Sequence, residues 1–473
     1  MSDLNAFEPK GNVPSSPLPH FEVQPTSRQA GHHCFSVCSD GGLPMMLRGL
    51  FSATIVAICI AFPALAEPLP TALRPEPAGL SAARLKVLDS AFQAEVDSGK
   101  IPGAVVVIVR NGRVAYSRAF GYQDREKQVV MKPDSIFRIA SMTKPLVSVA
   151  VMMLVEEGKL QLISPVSSVL PEFKGAKVGV EKLNDGKPEL VLEPVQREMT
   201  IQDLLRHTSG LTYGQFGNSL VKEAYRNANI GAPGENLAAV VGKLSKLPLA
   251  YQPGTTFEYG MSTDVLGRIV EVVSGMELDR FITERITKPL GMPDTGFYVS
   301  EAQVGRVAEP QIDAATGKRP PMRDLAAPPS WLSGGGGMVS TATDYARFCQ
   351  MLLNGGEFEG AYFLSPRTVG YMTTDHLPPG TAISQAVQGF GSLIPSPALG
   401  QGFGLGFAVR TDGGRNPMQG SASEFYWTGS SGTTFWIDPK ENLIAIMMVQ
   451  VPITQGAYYR SLIRNMVYQA ITK

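Results

Sequence analysis

Apolar positions recur at helical spacing over residues 80–98, with Leu80, Leu85, Leu88 and Phe92 on one face, which predicts an amphipathic helix. Two β-rich runs follow, 103–110 and 113–122, joined by Asn111-Gly112, the strongest short signal for a hairpin. From Ser141 an almost unbroken apolar stretch runs to Glu157 and stops at Gly158, predicting a second helix. Between about 166 and 325 the pattern changes, and helical stretches at 201–206, 238–244 and 263–273 alternate with Gly- and Pro-rich loops. A run of four glycines, Gly334 to Gly337, precedes a helix at 343–354. The chain then returns to strands at 404–410, 424–438 and 443–451, and a helix over 456–470 ends it. No internal repeat is visible. Strands at both ends around a helical middle predict an α/β fold, with one antiparallel sheet built from the N- and C-terminal segments and flanked by helices. The expected organisation is a sheet domain of residues 67–165 plus 326–473 and an inserted, mostly helical domain of 166–325. A site belongs in the cleft between the two parts.

The first 66 residues carry a different signal. Met45-Met46-Leu47-Arg48 leads into an apolar run from Leu50 to Phe62 and then Ala64-Leu65-Ala66. That is the layout of an export signal over 45–66, cut before Glu67, and the run is short for a membrane span. Residues 1–44 are rich in Pro, Ser and Gly and read as a disordered leader or a start codon assigned too early. The protein is therefore expected to be exported, periplasmic or secreted, with no stable membrane insertion after cleavage. Cys34, Cys38 and Cys59 precede the cut, leaving Cys349 alone in the mature chain, so its core must hold it without an internal disulfide. His32-His33-Cys34 with Cys38 has the composition of a ligand cluster, but no folded segment surrounds it.

Among 473 residues, 42 basic side chains balance 42 acidic ones and are scattered along the chain, which argues against nucleic acid as a partner. Only His207 and His376 remain after the cut, and no G-x-S-x-G occurs. A histidine triad, a nucleophile elbow and a His-rich zinc site are all unsupported, and no cofactor is expected. A serine can instead be deprotonated through a lysine, and Ser141-Met142-Thr143-Lys144 places the two one helical turn apart. S-x-x-K is expected about once by chance in a chain of this length, and Ser219-Leu220-Val221-Lys222 matches as well. The Ser141 copy opens an apolar helix able to hold it rigidly, whereas the Ser219 copy follows a Gly/Asn loop and leads into charged residues.

With that motif and two others in order, the chain resembles serine β-lactamases and penicillin-binding proteins, and within them the family VIII carboxylesterases. The second motif is Phe257-Glu258-Tyr259-Gly260-Met261-Ser262, and the third is Trp427-Thr428-Gly429 on a predicted strand. Leu205-Arg206-His207-Thr208-Ser209-Gly210-Leu211 and the glycine run followed by Val339-Ser340-Thr341 are similar to phrases of these relatives. The resemblance spans roughly 80–470 and implies a β-lactamase/transpeptidase-like fold. It also implies that Ser141 attacks an acyl carbon, that Lys144 and Tyr259 share proton transfer, and that the backbone N–H groups of Ser141 and Ser430 hold the oxyanion. Trp427, Thr428, Gly429 and Met261 would border the substrate.

Each residue has a plainer reading: Ser141 a helix cap, Lys144 a solvated helix residue, Tyr259 a core ring, Trp427 ordinary strand packing. His207 reads as structural, and the glycine run as a tight backbone passage near the cleft. Met261 stands where β-lactam-binding relatives often have Asn, and Trp427 where they often have the Lys that anchors a carboxylate. The expected substrate is therefore a small neutral acyl compound, above all an ester. A β-lactamase or D-alanyl-D-alanine carboxypeptidase, an acyltransferase, and a sensor that acylates without turnover are the alternatives. Oligomeric state is not legible.

Overall fold

The computed structural model describes residues 69–313, 316–388 and 394–473. The leader and the export signal lie outside the described residues.

The sheet at the centre is formed as the termini predict. Its strands are β1 (Gly103–Arg110), β2 (Arg113–Asp124), β3 (Val129–Val130), β4 (Gln401–Phe403), β5 (Ala408–Arg410), β6 (Phe425–Thr428), β7 (Thr434–Asp438) and β8 (Leu443–Val449). They stand in the order β4-β5-β6-β7-β8-β1-β2-β3, every neighbouring pair antiparallel. The two ends of the chain meet where β1 lies along β8, from Ala104 opposite Val449 to Arg110 opposite Leu443. Every residue of both strands is buried. Since successive side chains point to opposite faces, both faces of the sheet are covered there. Helices α1 (Ala82–Asp97) and α5 (Ile453–Tyr468) pack together, α1 also on β2, and α4 (Ala342–Leu353) packs against β1 and β8.

Asn111 and Gly112 turn the first hairpin with φ of 54° and 71°, the pair of left-handed residues that matches strand twist. Two strand boundaries differ from expectation. The run 404–410 is broken at Gly406, whose φ of 98° turns the chain, so β4 and β5 flank it. The run 424–438 is likewise two strands, with Gly429–Thr433 as the turn between β6 and β7.

The middle of the chain is mostly helical but also holds a hairpin, Lys177–Asn184 with Lys187–Pro194, turned by Asp185 and Gly186 at φ of 49° and 77°. Helix α3 (Ser262–Ser274) from this region packs directly on α2 (Thr143–Glu156). Residues 143–154 of α2 are all buried, so the helix is enclosed on every side. Its Pro145 lies in the first turn, where the missing N–H costs no hydrogen bond. A rigid, fully enclosed helix is what carries the Ser141 motif. Among the described residues no helix is long and apolar enough to cross a membrane.

Candidate active site

Ser141 sits in a single 3-10 turn, Ala140–Met142, that leads into α2. It is not the helix cap; Met142 holds that position. Ala140, directly before it, has φ of 45°, a left-handed conformation that a β-carbon disfavours and that is retained where surrounding structure enforces it. Ser141 is half-buried, and Lys144 one turn on is 2% exposed. The Lys144 Nζ lies 3.2 Å from Ser141 Oγ, 3.2 Å from the Tyr213 hydroxyl and 2.7 Å from the Gly335 carbonyl. An ammonium has three N–H donors, and the acceptors around this one include these three and the Tyr259 side chain.

That arrangement decides the charge of Lys144. Burial alone pushes the group down, but Tyr213, Tyr259 and Asp264 outweigh it and hold the ammonium above its ordinary value. Burial keeps the Tyr213 phenol well above its usual range even though Lys144 pulls the other way. The Asp264 carboxyl is also raised by burial, against Ser333 Oγ, which donates to it at 2.8 Å, and Lys144.

Tyr259 closes the arrangement. Its ring centroid is 4.5 Å from the Lys144 Nζ and 5.6 Å from that of Tyr213. The next residue explains its placement: a β-carbon on Gly260 would lie 2.3 Å from the Leu211 carbonyl, so only glycine lets the two segments approach. The glycine run is a tight passage of the same kind. A β-carbon on Gly334 would strike the Thr263 carbonyl at 2.5 Å, and one on Gly335 the Asp264 carboxylate at 2.4 Å.

The third motif arrives on β6, which packs against the Ala140–Met142 turn. A β-carbon on Gly429 would come within 2.5 Å of the Ile139 carbonyl, which again requires glycine. Thr428 is buried, and Ser430 stands exposed in the turn that follows. Trp427 is buried with its ring 5.4 Å from Tyr259 and 5.3 Å from Phe403, and Met261 is buried in the same core. Both were expected to border substrate. Their side chains pack in the core, with Trp427 against Tyr259 and Phe403.

His207 is buried between Phe257, Tyr259 and Phe403, and burial followed by the Lys144 charge keeps it neutral. His376 is bonded to Gln202 and to the Tyr371 carbonyl. The second S-x-x-K copy has a structural use. Ser219 caps the helix Leu220–Asn227 by accepting from the Lys222 N–H, and the Lys222 ammonium turns inward to a buried ion pair with Glu258 at 2.5 Å. Residues that motif reading missed are Tyr213, Asp264 and the Gly335 carbonyl. Tyr213 follows the 205–211 phrase by two positions, and Gly335 belongs to a run noted only for its glycines. Among the described residues no group of His, Cys, Asp and Glu could hold a metal ion.

A family model described as Beta-lactamase matches residues 88–463. Protein Rv1367c of Mycobacterium tuberculosis is 38% identical over 370 residues, covering 75% of this chain and 87% of that protein. Esterase EstB of Burkholderia gladioli is 30% identical over 403 residues, covering 80% of this chain and 92% of that protein. Among solved structures, EstCE1, a hydrolase with promiscuous acyltransferase activity, superposes with a TM-score of 0.67 at 29% identity, covering 82% of this chain and 98% of its own.

Proposed function

From the premise that this chain belongs to the Beta-lactamase family and is a serine hydrolase of that fold, we propose that it is a carboxylesterase of the family VIII type. It cleaves carboxylic esters through an acyl-enzyme on Ser141. The observation that carries this reading is the buried Lys144 ammonium joined to Ser141 Oγ and to Tyr213, with Tyr259 against it. In this reading the Ser141 proton passes to Tyr259, whose ring centroid lies 4.5 Å from the Lys144 Nζ, with the ammonium stabilising the oxygen that receives it.

Ser141 Oγ bonds to the ester carbonyl carbon as its proton passes to Tyr259. The carbonyl oxygen becomes an oxyanion held by the backbone N–H groups of Ser141 and Ser430. Collapse expels the alcohol, which takes the proton from Tyr259. Water then repeats the sequence, losing its proton to Tyr259 and releasing the carboxylic acid and free Ser141. The third motif presents Trp427 where a carboxylate-binding lysine would stand, which supports neutral esters over penicillins. The promiscuous acyltransferase activity of EstCE1 favours a second outcome, in which an alcohol replaces water as acceptor.

A fluorophosphonate tests the reading. It should add covalently at Ser141, and Ser141→Ala should lose both labelling and cleavage of 4-nitrophenyl butyrate. Labelling at Ser219, or turnover of a chromogenic cephalosporin with no ester cleavage, would overturn it.

A further inference from the structure

The residues around Lys144 account for bond breaking but not for what the enzyme selects. The cleft of about 1000 Å³ beside the Ser430 turn bears on that. Its walls include neighbours of the site residues on two sides. Ser430 and Ser431 continue from the third motif, and Phe216 packs its ring 5.7 Å from that of Tyr213. Gln450, also on its wall, donates to the carbonyl of Arg138, three residues before Ser141. The volume is at the top of the range for sites that enclose drug-sized molecules, about 300–1,000 Å³, far more than an acetyl or butyryl group fills. Pro310, Ile312, Met322, Val451 and Ile453 give it apolar walls.

One end of this cleft is polar in a particular way. Glu95, buried, accepts from the Tyr459 hydroxyl at 3.0 Å, the Tyr458 hydroxyl at 3.2 Å and the Lys100 ammonium at 3.2 Å. Lys100 and both tyrosines line the cleft. The carboxylate fixes the ammonium, yet the Lys100 side chain remains 60% exposed with N–H donors to spare. Lys100 is the basic residue among those lining the cleft.

We infer that the cleft is an acyl-binding subsite for long-chain or bulky acyl groups that end in a hydrogen-bond acceptor, a carboxylate or hydroxyl oxygen, received by Lys100. This rests on the esterase reading of Ser141. The acyl half is assigned because it stays bound through both half-reactions, whereas the alcohol must leave and water must enter. An apolar wall rewards each added methylene, and the fixed ammonium rewards the terminal oxygen.

The test compares four 4-nitrophenyl esters: butyrate, octanoate, 8-hydroxyoctanoate and the monoester of suberic acid. The kcat/KM should rise at least about tenfold from butyrate to octanoate, well below the ceiling that full burial of four methylenes allows. It should rise again by about three- to tenfold for one of the two terminally oxygenated chains, and which one distinguishes carboxylate from hydroxyl. Lys100→Gln should abolish that second gain and leave butyrate unchanged; Lys100→Arg should restore it. Butyrate cleavage with no gain from chain length, or a terminal preference that survives Lys100→Gln, overturns this inference and leaves the esterase intact. No cleavage of any of the four would instead overturn the esterase reading itself.

Discussion

Tyr213→Phe separates a charged Lys144 from a neutral one. The substitution keeps the ring contacts to Phe216 and Tyr259, at 5.7 Å and 5.6 Å, and removes only the hydroxyl that accepts from Lys144 at 3.2 Å. One of the acceptors around a buried ammonium is then lost. For a hydrogen bond to a charged group that loss is about 1.5–3 kcal/mol. It falls on the charged form alone, so the Lys144 pKa drops by about one to two units. In the native enzyme the ammonium is held above its ordinary value, so any loss of rate from its deprotonation lies beyond the working range. In the variant that loss should move down into reach. At pH 8 both proteins keep the ammonium, so the expected difference for 4-nitrophenyl butyrate is a decline in kcat/KM that begins about one to two pH units lower in the variant, towards the alkaline end of the range. The assay is the rate profile of both proteins from pH 6 to 10.5, with circular dichroism to show that each stays folded. A rate within twofold of native and an unmoved profile would refute the role of Tyr213. A rate that climbs as the ammonium is lost would show that the amine, not Tyr259, is the base.

Three further outcomes follow from the same geometry. The native rate should not fall between neutral and mildly alkaline pH, because the Lys144 ammonium is held above its ordinary value; a fall there would show that the ammonium is lost within that range. Ser219→Ala should keep full activity and fluorophosphonate labelling while losing about 1 kcal/mol of stability in denaturant melts, the value of a helix cap; loss of activity would mean that the wrong S-x-x-K copy was chosen. Asp203→Asn tests acid stability. Burial would raise that carboxyl, but Arg197, the Thr200 N–H and Arg206 outweigh it and hold it down at about 2. A depressed pKa stabilises the fold above the ordinary carboxylate range and ceases to do so as pH falls through about 2, a contribution of about 2 kcal/mol. The variant should be less stable at pH 7 and flatter between about pH 4 and 2; an unchanged slope there would remove Asp203 from the account.

Much of this site is legible in the sequence because its chemistry is local. Ser141 and Lys144 are one turn apart, and helical geometry alone brings them together. Gly260 and Gly429, beside Tyr259 and Trp427, occur where one backbone passes against another, and glycine marks such places. Tyr213 is different. It meets Lys144 across 69 residues of chain, and nothing in its neighbours distinguishes it from a core tyrosine. The charge of Lys144 is equally hidden, since burial and the side chains of Tyr213, Tyr259 and Asp264, all from distant segments, set it. The hairpin at 177–194 had a signal, Asp185-Gly186 between Val178, Val180, Leu190 and Leu192, but its strands are largely exposed and their alternation is weak. The division of 404–410 at Gly406 was hidden by apolar residues on both sides of the turn.

The pairing of β1 with β8 also sets the order in which this molecule can be made. Ala104 finds Val449 about 345 residues after it has been synthesised, which at ribosomal rates is roughly 20–70 s. For that interval the first hairpin presents an unpaired edge of Val105, Val106, Val107 and Ile108, the kind of strand that recruits other chains. Contacts so distant in sequence also slow the closing step itself. The enclosed helix beneath Ser141 can form early, but β6, which packs against the Ala140–Met142 turn, cannot take its place in the sheet until β8 has been made. A nascent chain stalled anywhere before β8 is therefore both inactive and prone to aggregate, and a factor that shields β1 until the C-terminus emerges would raise yield without touching the finished enzyme.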